Sequence, residues 1–570
     1  MVGDDLLPLH VGASGFVAEV CRRLNIRSMV NNLVTWDESQ WKRSPGTLTV
    51  ALIINILINR RPLYRVWEAF QHLDLPVLFD EPVVLEDLND DAFGRTLDRL
   101  YESGNLKLLL HSVALRAVHL LPLGVRSVHA DTTSISLAGR YEWTESDLAY
   151  QESHPDRSLL NITHGFSKDH RSDLKQFMYG MIVTGEGLPV MGSVHDGNLS
   201  DKAWNLEMIQ QMQQSFLDPQ RVVYVADSAL ITPDNLAKMA EHRMRFISRL
   251  PETYKLAEQL KERAWSKDGV WRCIGRIGES ATSAVYHTQS FIETLEGRTY
   301  RFVVVHSSAQ QARKAKTIQK QLDRERAQLE KEQKELQKKV FNCREDAERA
   351  LQAFLKAHRH SPFNITGDIA EDRVVVRRPG RPRKDEVPPT RTEYRIQLAF
   401  ADPDDKALDE LHAKASTFVL ITSLDEHQWP DEEILREYKG QTAVETRFRN
   451  LKADPCIVDH IYVKSSRRAE ALAYLFLLAL LVASFIEIKI RQELTKQSRQ
   501  FLVPGQRMTN RPTMSMILTV LESVLVVLVR TAEGTKRILP SNTDKRVHEL
   551  IELMGIDVSA YTHDRSRQDV

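Results

Sequence analysis

The chain has 570 residues, with 77 basic and 77 acidic side chains and a formal net charge of zero, so the overall balance points to no polyanionic partner and charge has to be read locally. Length and composition are those of a globular protein with apolar material for several cores. The four cysteines, Cys21, Cys273, Cys343 and Cys456, are far apart and form no CxxC pair, which argues against a zinc site or a disulfide framework and fits a reducing, cytoplasmic compartment. The opening MVGDDLLPLH carries acids and no long apolar run, unlike a secretory signal.

Residues 1–120 read as a small, independent helical bundle: Phe16 to Leu24, Leu48 to Asn59 and Ala92 to Leu100 carry apolar residues at helical spacing between Pro and Gly breaks. From Val125 the period changes. RSVHAD ends at Asp131, and FMYGMIVTGEGLPVMGSVHDGN gives two strands around Thr184-Gly185-Glu186-Gly187. A helical pattern follows from Asp201 to Phe216. RVVYVAD then reads as a strand buried on both faces, ending at Asp227. Pro233 suits the first turn of a helix to Glu241, and MRFISRL is a further strand. Three antiparallel strands, helix, strand, helix, strand is a ribonuclease H-like order, with an acid on the first strand and another at the end of the fourth. The predicted class is α/β: a ribonuclease H-like core over 121–250 and 426–500, interrupted by a mixed β and helical insertion at 251–425 ahead of the helix that bears the third acid. The insertion holds a hairpin-like stretch (AVYHTQSFIETLEGRTYRFVVVHS), a charged helical run from Ala309 to His358, a basic Pro-rich segment, and the strands YRIQLAF and TFVLITS. The charged run reads as a solvated or antiparallel helix pair. Residues 501–570 are expected to be helical.

A helix is predicted to start near Asp431, where Pro430 is followed by Asp431, Glu432 and Glu433. At about 100° per residue, Tyr438, Gln441, Glu445 and Lys452 fall on one stripe, and Val444, Phe448 and Leu451 on an adjacent apolar one. Such a helix presents a phenol, an amide, a carboxylate and an ammonium to one cleft. Asp131, Asp227 and Glu445 are the candidate catalytic and metal-binding residues, since carboxylates are the hard oxygen ligands that Mg²⁺ requires. Two ions so held can activate the attacking oxygen and stabilise the leaving oxygen at a phosphodiester. Lys452 and Tyr438 are placed to meet phosphate or sugar. Each acid also has a local reading: Asp131 as a cap for following amides, Asp227 as a helix cap, Glu445 as the partner of Arg449 four residues on.

At these residues the chain resembles cut-and-paste insertion-sequence transposases of the three-carboxylate (DDE) type, specifically the group with a Tyr-x2-Arg-x3-Glu-x6-Lys signature in the insertion-sequence-four superfamily, sixteen-thirty-four-like branch. Here the signature reads Tyr438, Gln441, Glu445, Lys452, with spacing kept and Gln in place of Arg. The likeness runs through HADTTSISL, HGFSKDHRSDLKQ, VYVADSALIT and HIYVKSSRRAEALAYLFLLALL, and in the N-terminal region through INRRPLYRVWEAF and EDLNDDAFGRTLDRLYESG. It implies Mg²⁺ or Mn²⁺, contacts to DNA from Tyr438, Gln441, Arg449, Lys452, Lys168 and Arg171, water-driven release of a 3′ hydroxyl at each element end, and attack of that hydroxyl on target DNA. It also implies binding of terminal inverted repeats by the N-terminal region, and a homodimer or larger synaptic assembly in a bacterial host. The apolar stretch Ala469 to Ile486 is long enough for a membrane span, but it coincides with a helix that in the group packs on the core. A ribonuclease H-like nuclease without strand transfer, and a domesticated copy that only binds DNA, remain open as alternatives.

VRRPGRPRK, from Val376 to Lys384, resembles an AT-hook, whose Gly-Arg-Pro core lies extended in the minor groove of A·T-rich DNA; Arg381 and Arg383 are its candidate contacts. The other reading is a basic linker. If Arg381 occupies a minor groove, Arg381→Ala weakens binding to A·T-rich duplex by about 1 to 3 kcal/mol in a gel-shift titration. An equal loss on G·C-rich duplex identifies a linker instead.

Overall fold

The structure, a computed structural model, describes residues 5–169, 171–212, 218, 220–266, 269–278, 283–359, 361–376, 390–452, 463, 465–531 and 534–566. The AT-hook-like residues Arg381 and Arg383 lie outside these. The chain forms two compact units, one of Met1–Ser248, Thr422–Leu424 and Glu433–Val570, the other of Arg249–Ile421 and Asp425–Glu432.

The first unit opens on strand β1 (Asp5–His10), followed by helices α1 (Ser14–Arg23), α2 (Pro45–Ile54), α3 (Asp90–Glu102) and α4 (Leu106–Leu120). Local chemistry sets their ends: Ser44 caps α2 through the Thr47 amide with Pro45 in the first turn, and Asn89 caps α3 through the Ala92 amide. Five strands of a larger sheet follow, β2 (Ser127–Leu137), β3 (Lys175–Thr184), β4 (Pro189–Asp196), β5 (Val223–Ala226) and β6 (Arg245–Arg249), in the order β4-β3-β2-β5-β6. The first three are antiparallel, and β5 and β6 run parallel to β2. The four residues of β5 are buried, as their unbroken apolar run requires. Helices α5 (Asp201–Met212) and α6 (Pro233–Glu241) connect β4 to β5 and β5 to β6. The element order is the one expected from sequence, and the mixed sheet is consistent with a ribonuclease H-like core.

The helix predicted from Asp431 does begin there, but it is two helices, α7 (Asp431–Lys439) and α8 (Thr442–Lys452). The break is at Gly440 and Gln441. A Cβ on Gly440 would lie 2.8 Å from Cε1 of the buried His129 on β2, so only glycine fits this approach. One continuous stripe from Tyr438 to Lys452 therefore does not exist; Glu445 and Lys452 share α8, and Tyr438 belongs to α7.

Helix α9 (Ser466–Lys496) has the length and hydropathy of a membrane span, yet its apolar window is wholly buried against α2, α3, α4 and β4. The N-terminal helices accordingly do not stand apart as an independent bundle; they share the core of α9 in the first unit. The C-terminal stretch is mixed rather than helical: β7 (Leu525–Thr531) pairs antiparallel with β1 and with Gly534–Ile538. The run LVVLVRT alternates in burial with period two, which a strand satisfies and a helix does not.

In the second unit, strands Val285–Leu295 and Arg298–Ser307 form the anticipated hairpin, turning at Glu296 and Gly297, both at positive φ. The charged run forms helices Ser308–Gln337 and Arg344–Ala357, which pack on a second hairpin, Asn364–Val375 with Thr390–Ala401. Ile318, Leu322 and Leu329 join Phe363 in one apolar cluster, and Ala347 and Leu351 join Ile396 and Leu398 in another. The charges are the solvated faces of these helices.

A buried ion pair joins α8 to the core. Arg447 and Glu487, 3% and 2% exposed, meet at 2.5 Å, while Arg447 Nε donates to the Gly187 carbonyl at 2.7 Å and Glu487 Oε1 accepts the Met514 amide at 2.7 Å. Arg447→Ala leaves Glu487 buried with its main counter-charge gone and is expected to destabilise the protein by about 3 to 5 kcal/mol in urea unfolding, with Arg447→Met/Glu487→Leu costing less than the single change. A loss below about 1 kcal/mol in the single variant would show that α8 is held by its apolar contacts alone.

Candidate active site

Strands β2 and β5 run parallel with Ala130 opposite Ala226, so Asp131 and Asp227, the next residue on each, stand side by side. Both keep the local roles the sequence allowed. Asp131 Oδ1 accepts the Thr132 amide at 2.7 Å, and Asp227 Oδ1 accepts the Ala229 amide at 3.0 Å, capping a short 3-10 turn, while the Asp227 carbonyl accepts Ser248 Oγ at 2.7 Å. These bonds aim the carboxylates; they do not separate them. Helix α8 packs on β2 and β3 through Val444, Phe448 and Leu451, with Glu445 on its exposed side.

A third acid at this place, Asp201, was not singled out from sequence. It begins α5, and α5 is seated by a close approach: Gly180 on β3, opposite Thr132, leaves room for the Trp204 indole, which would otherwise be 1.9 Å from a Cβ. Trp204 Nε1 donates to Ser193 Oγ at 3.0 Å, and Tyr224 of β5 donates to Asn205 Oδ1 at 3.0 Å. With α5 so fixed, Asp201 Oδ1 accepts the Thr132 hydroxyl. The only sequence signal was an acid at a helix start, which is ordinary.

Lys168 brings a positive charge to the group. Its Nζ donates to Thr132 O at 2.7 Å and Thr132 Oγ1 at 2.8 Å, and lies 3.2 Å from Asp201 Oδ2 and 3.7 Å from Asp131 Oδ1. Burial drives the Asp131 carboxyl up to about 6; the Lys168 charge and the Thr132 amide oppose the rise, and the Asp227 and Asp201 charges add to it. Asp227 is raised too, by burial first and by Asp201, against the Ala229 amide and Lys168. Acids pushed upward by burial and by each other form a place that favours a cation.

The other expected residues are dispersed around this centre. Lys452 is held by Asp169, with Nζ 2.8 and 2.7 Å from the two carboxylate oxygens. Arg171 forks onto Asp173 at 2.9 and 2.8 Å. Arg449 is exposed on α8, and Tyr438 and Gln441 are half-buried at the α7–α8 break. Ser127 Oγ donates to Glu437 Oε2 at 2.6 Å, tying α7 to the start of β2. Among the described residues no three His, Cys, Asp or Glu side chains converge tightly enough to enclose a metal ion. Asp131 and Asp227 nonetheless offer the hard oxygen donors a divalent ion takes, and the Lys168 ammonium marks a cation position beside Asp131 and Asp201; Glu445 stands on the exposed side of α8.

Residues 9–115 match a domain of unknown function, DUF4277, over the N-terminal helices. Residues 156–482 match the transposase DDE domain, a span that contains Asp227, Glu445 and Lys452 and starts after Asp131. The comparison with curated proteins finds no match. Because the transposase DDE domain covers more than half of the chain, the protein belongs to the DDE transposase family.

Proposed function

We propose that the chain cuts DNA at the ends of a mobile element and joins those ends to target DNA, using Asp131, Asp227 and Glu445 as metal ligands. The observation that carries the reading is the side-by-side placement of Asp131 and Asp227 on parallel strands, with a cation seated among their neighbours. When bound, Mg²⁺ or Mn²⁺ supplies Lewis-acid activation of an attacking oxygen and charge stabilisation of a leaving one. The chain's own residues do the positioning. Asp131 and Asp227 are fixed by backbone amides, and Glu445 is carried on a helix anchored by Arg447. Lys452, Lys168 and Arg171 neutralise phosphates once they leave their carboxylate partners, and Tyr438, Gln441 and Arg449 extend the contact. Terminal-repeat binding by the N-terminal region, and synapsis of two or more copies, complete the reaction.

Asp131→Ala, Asp227→Ala and Glu445→Ala are each expected to abolish metal-dependent nicking at an element end, with end binding in a gel shift largely kept. Near-normal nicking by any one of them removes that residue from the site. Joined products from a pre-nicked end distinguish a transposase from a nuclease that stops at cleavage.

The raised Asp131 carboxyl makes a separate prediction about stability. Its proton is held more tightly in the folded chain than at the ordinary 3.8, so this group's contribution falls as pH rises from about 4 to about 6 and its cost is complete above that. In metal-free protein Asp131→Asn should therefore raise stability by about 1 to 2 kcal/mol at pH 8 and change little at pH 4. Thermal melts at both values check it; an equal loss at both would assign Asp131 a purely structural role.

A further inference from the structure

Three features of the loop ahead of β3 converge. The Lys168 ammonium sits among four oxygens of three residues: the Thr132 carbonyl and hydroxyl at 2.7 and 2.8 Å, Asp201 Oδ2 at 3.2 Å and Asp131 Oδ1 at 3.7 Å. The next residue, Asp169, grips Lys452 of α8 with both carboxylate oxygens. The turn itself is fixed, since Ser134 Oγ accepts the Lys168 amide at 3.2 Å and Ser167 Oγ accepts the amides of Asp169 and Arg171 at 3.3 and 3.1 Å.

Carboxylate, carbonyl and hydroxyl oxygens are the donors a hard divalent cation takes, and an ammonium with three donors and no acceptor satisfies the same set with half the charge. A carboxylate on Lys452 likewise presents two oxygens and a negative charge where a DNA phosphate would. Neighbouring residues of one turn thus carry the charges of both reaction ligands, each against its own partner. We propose that the Lys168-Asp169 turn is an internal plug, in which Lys168 stands in for the metal and Asp169 for the DNA phosphate, and that metal and DNA displace them. The inference rests on the reading of Asp131 as a metal ligand. Metal entry expels the Lys168 ammonium, because the two cations cannot share those oxygens; DNA takes Lys452 from Asp169. Neither exchange needs the backbone of the turn to move.

The test is Mn²⁺ binding to the DNA-free full chain, followed by the electron paramagnetic resonance of free Mn²⁺. Lys168→Met should bind Mn²⁺ about tenfold more tightly than the native chain, because a unit charge at 3 to 4 Å is removed. Asp131→Asn should bind it at least about tenfold more weakly. Equal Mn²⁺ affinity in Lys168→Met and the native chain, with Asp131→Asn still weakened, overturns the plug and leaves the metal reading standing; native affinity in Asp131→Asn overturns both. A measurement on the unaltered chain is independent of how any variant folds. Amine acetylation read by mass spectrometry should speed up at Lys168 when Mn²⁺ is added, without change at Lys452, and should speed up at Lys452 in Asp169→Asn without metal. Unchanged Lys168 labelling on adding saturating Mn²⁺ refutes the plug.

Discussion

Arg447 and Glu487 are opposite charges, almost fully buried, which also bond the Gly187 carbonyl and the Met514 amide, with Arg491 3.4 Å from Glu487. A buried guanidinium has few low-energy positions, because displacing it from Glu487 and Gly187 leaves its charge unpaired in low dielectric, while Glu487 keeps only the more distant Arg491 at 3.4 Å. That restriction fixes α8 relative to α9 and to the turn between β3 and β4. Glu445 lies two residues before Arg447, on the other side of the same helical turn, so its place follows from a contact it does not make. The apolar face of α8, Val444, Phe448 and Leu451, adds attraction to the sheet; the ion pair adds a single register.

The acids themselves oppose folding. Asp131 and Asp227 are both raised by burial, and Asp201 adds a third negative charge to the same place. Metal-free protein relieves this with one ammonium from Lys168, held chiefly by Thr132 rather than by the acids, and with amide bonds from Thr132 and Ala229. The partial neutralisation leaves a residual preference for a higher positive charge than one ammonium supplies, which is the electrostatic condition for exchanging it for a divalent ion.

Much of this was legible in the chain because it depends on local pattern. RVVYVAD could only be a strand buried on both faces, and the acid closing it had to sit at the sheet's end; Pro430 with three acids announced a helix start at Asp431. The features that escaped depend on contacts distant in sequence. Asp201 looks like any acid opening a helix until Gly180 and Trp204 bring α5 onto the sheet. Lys168 gives no local sign of the Thr132 and Asp201 oxygens that stand beside it in the fold. The alternating run at Leu525 needs a strand partner, β1, that is some five hundred residues away in the chain, so its neighbourhood alone does not mark it as a strand.

The break at Gly440 shows where a phase argument on a single helical wheel loses its geometry. Projecting Tyr438, Gln441, Glu445 and Lys452 on one wheel assumes an unbroken 3.6-residue period. His129, buried on β2, stands where the helix would need a Cβ at residue 440, and the chain answers with glycine and a turn. Within α8 the period is intact, so Glu445 and Lys452, seven residues apart, still share a face. Across the turn the relation is set by tertiary contacts: Ser127 bonding Glu437 holds α7 to the start of β2, and Arg447 holds α8 to α9. Tyr438 and Glu445 are thus positioned by two separate anchors rather than by one continuous helix.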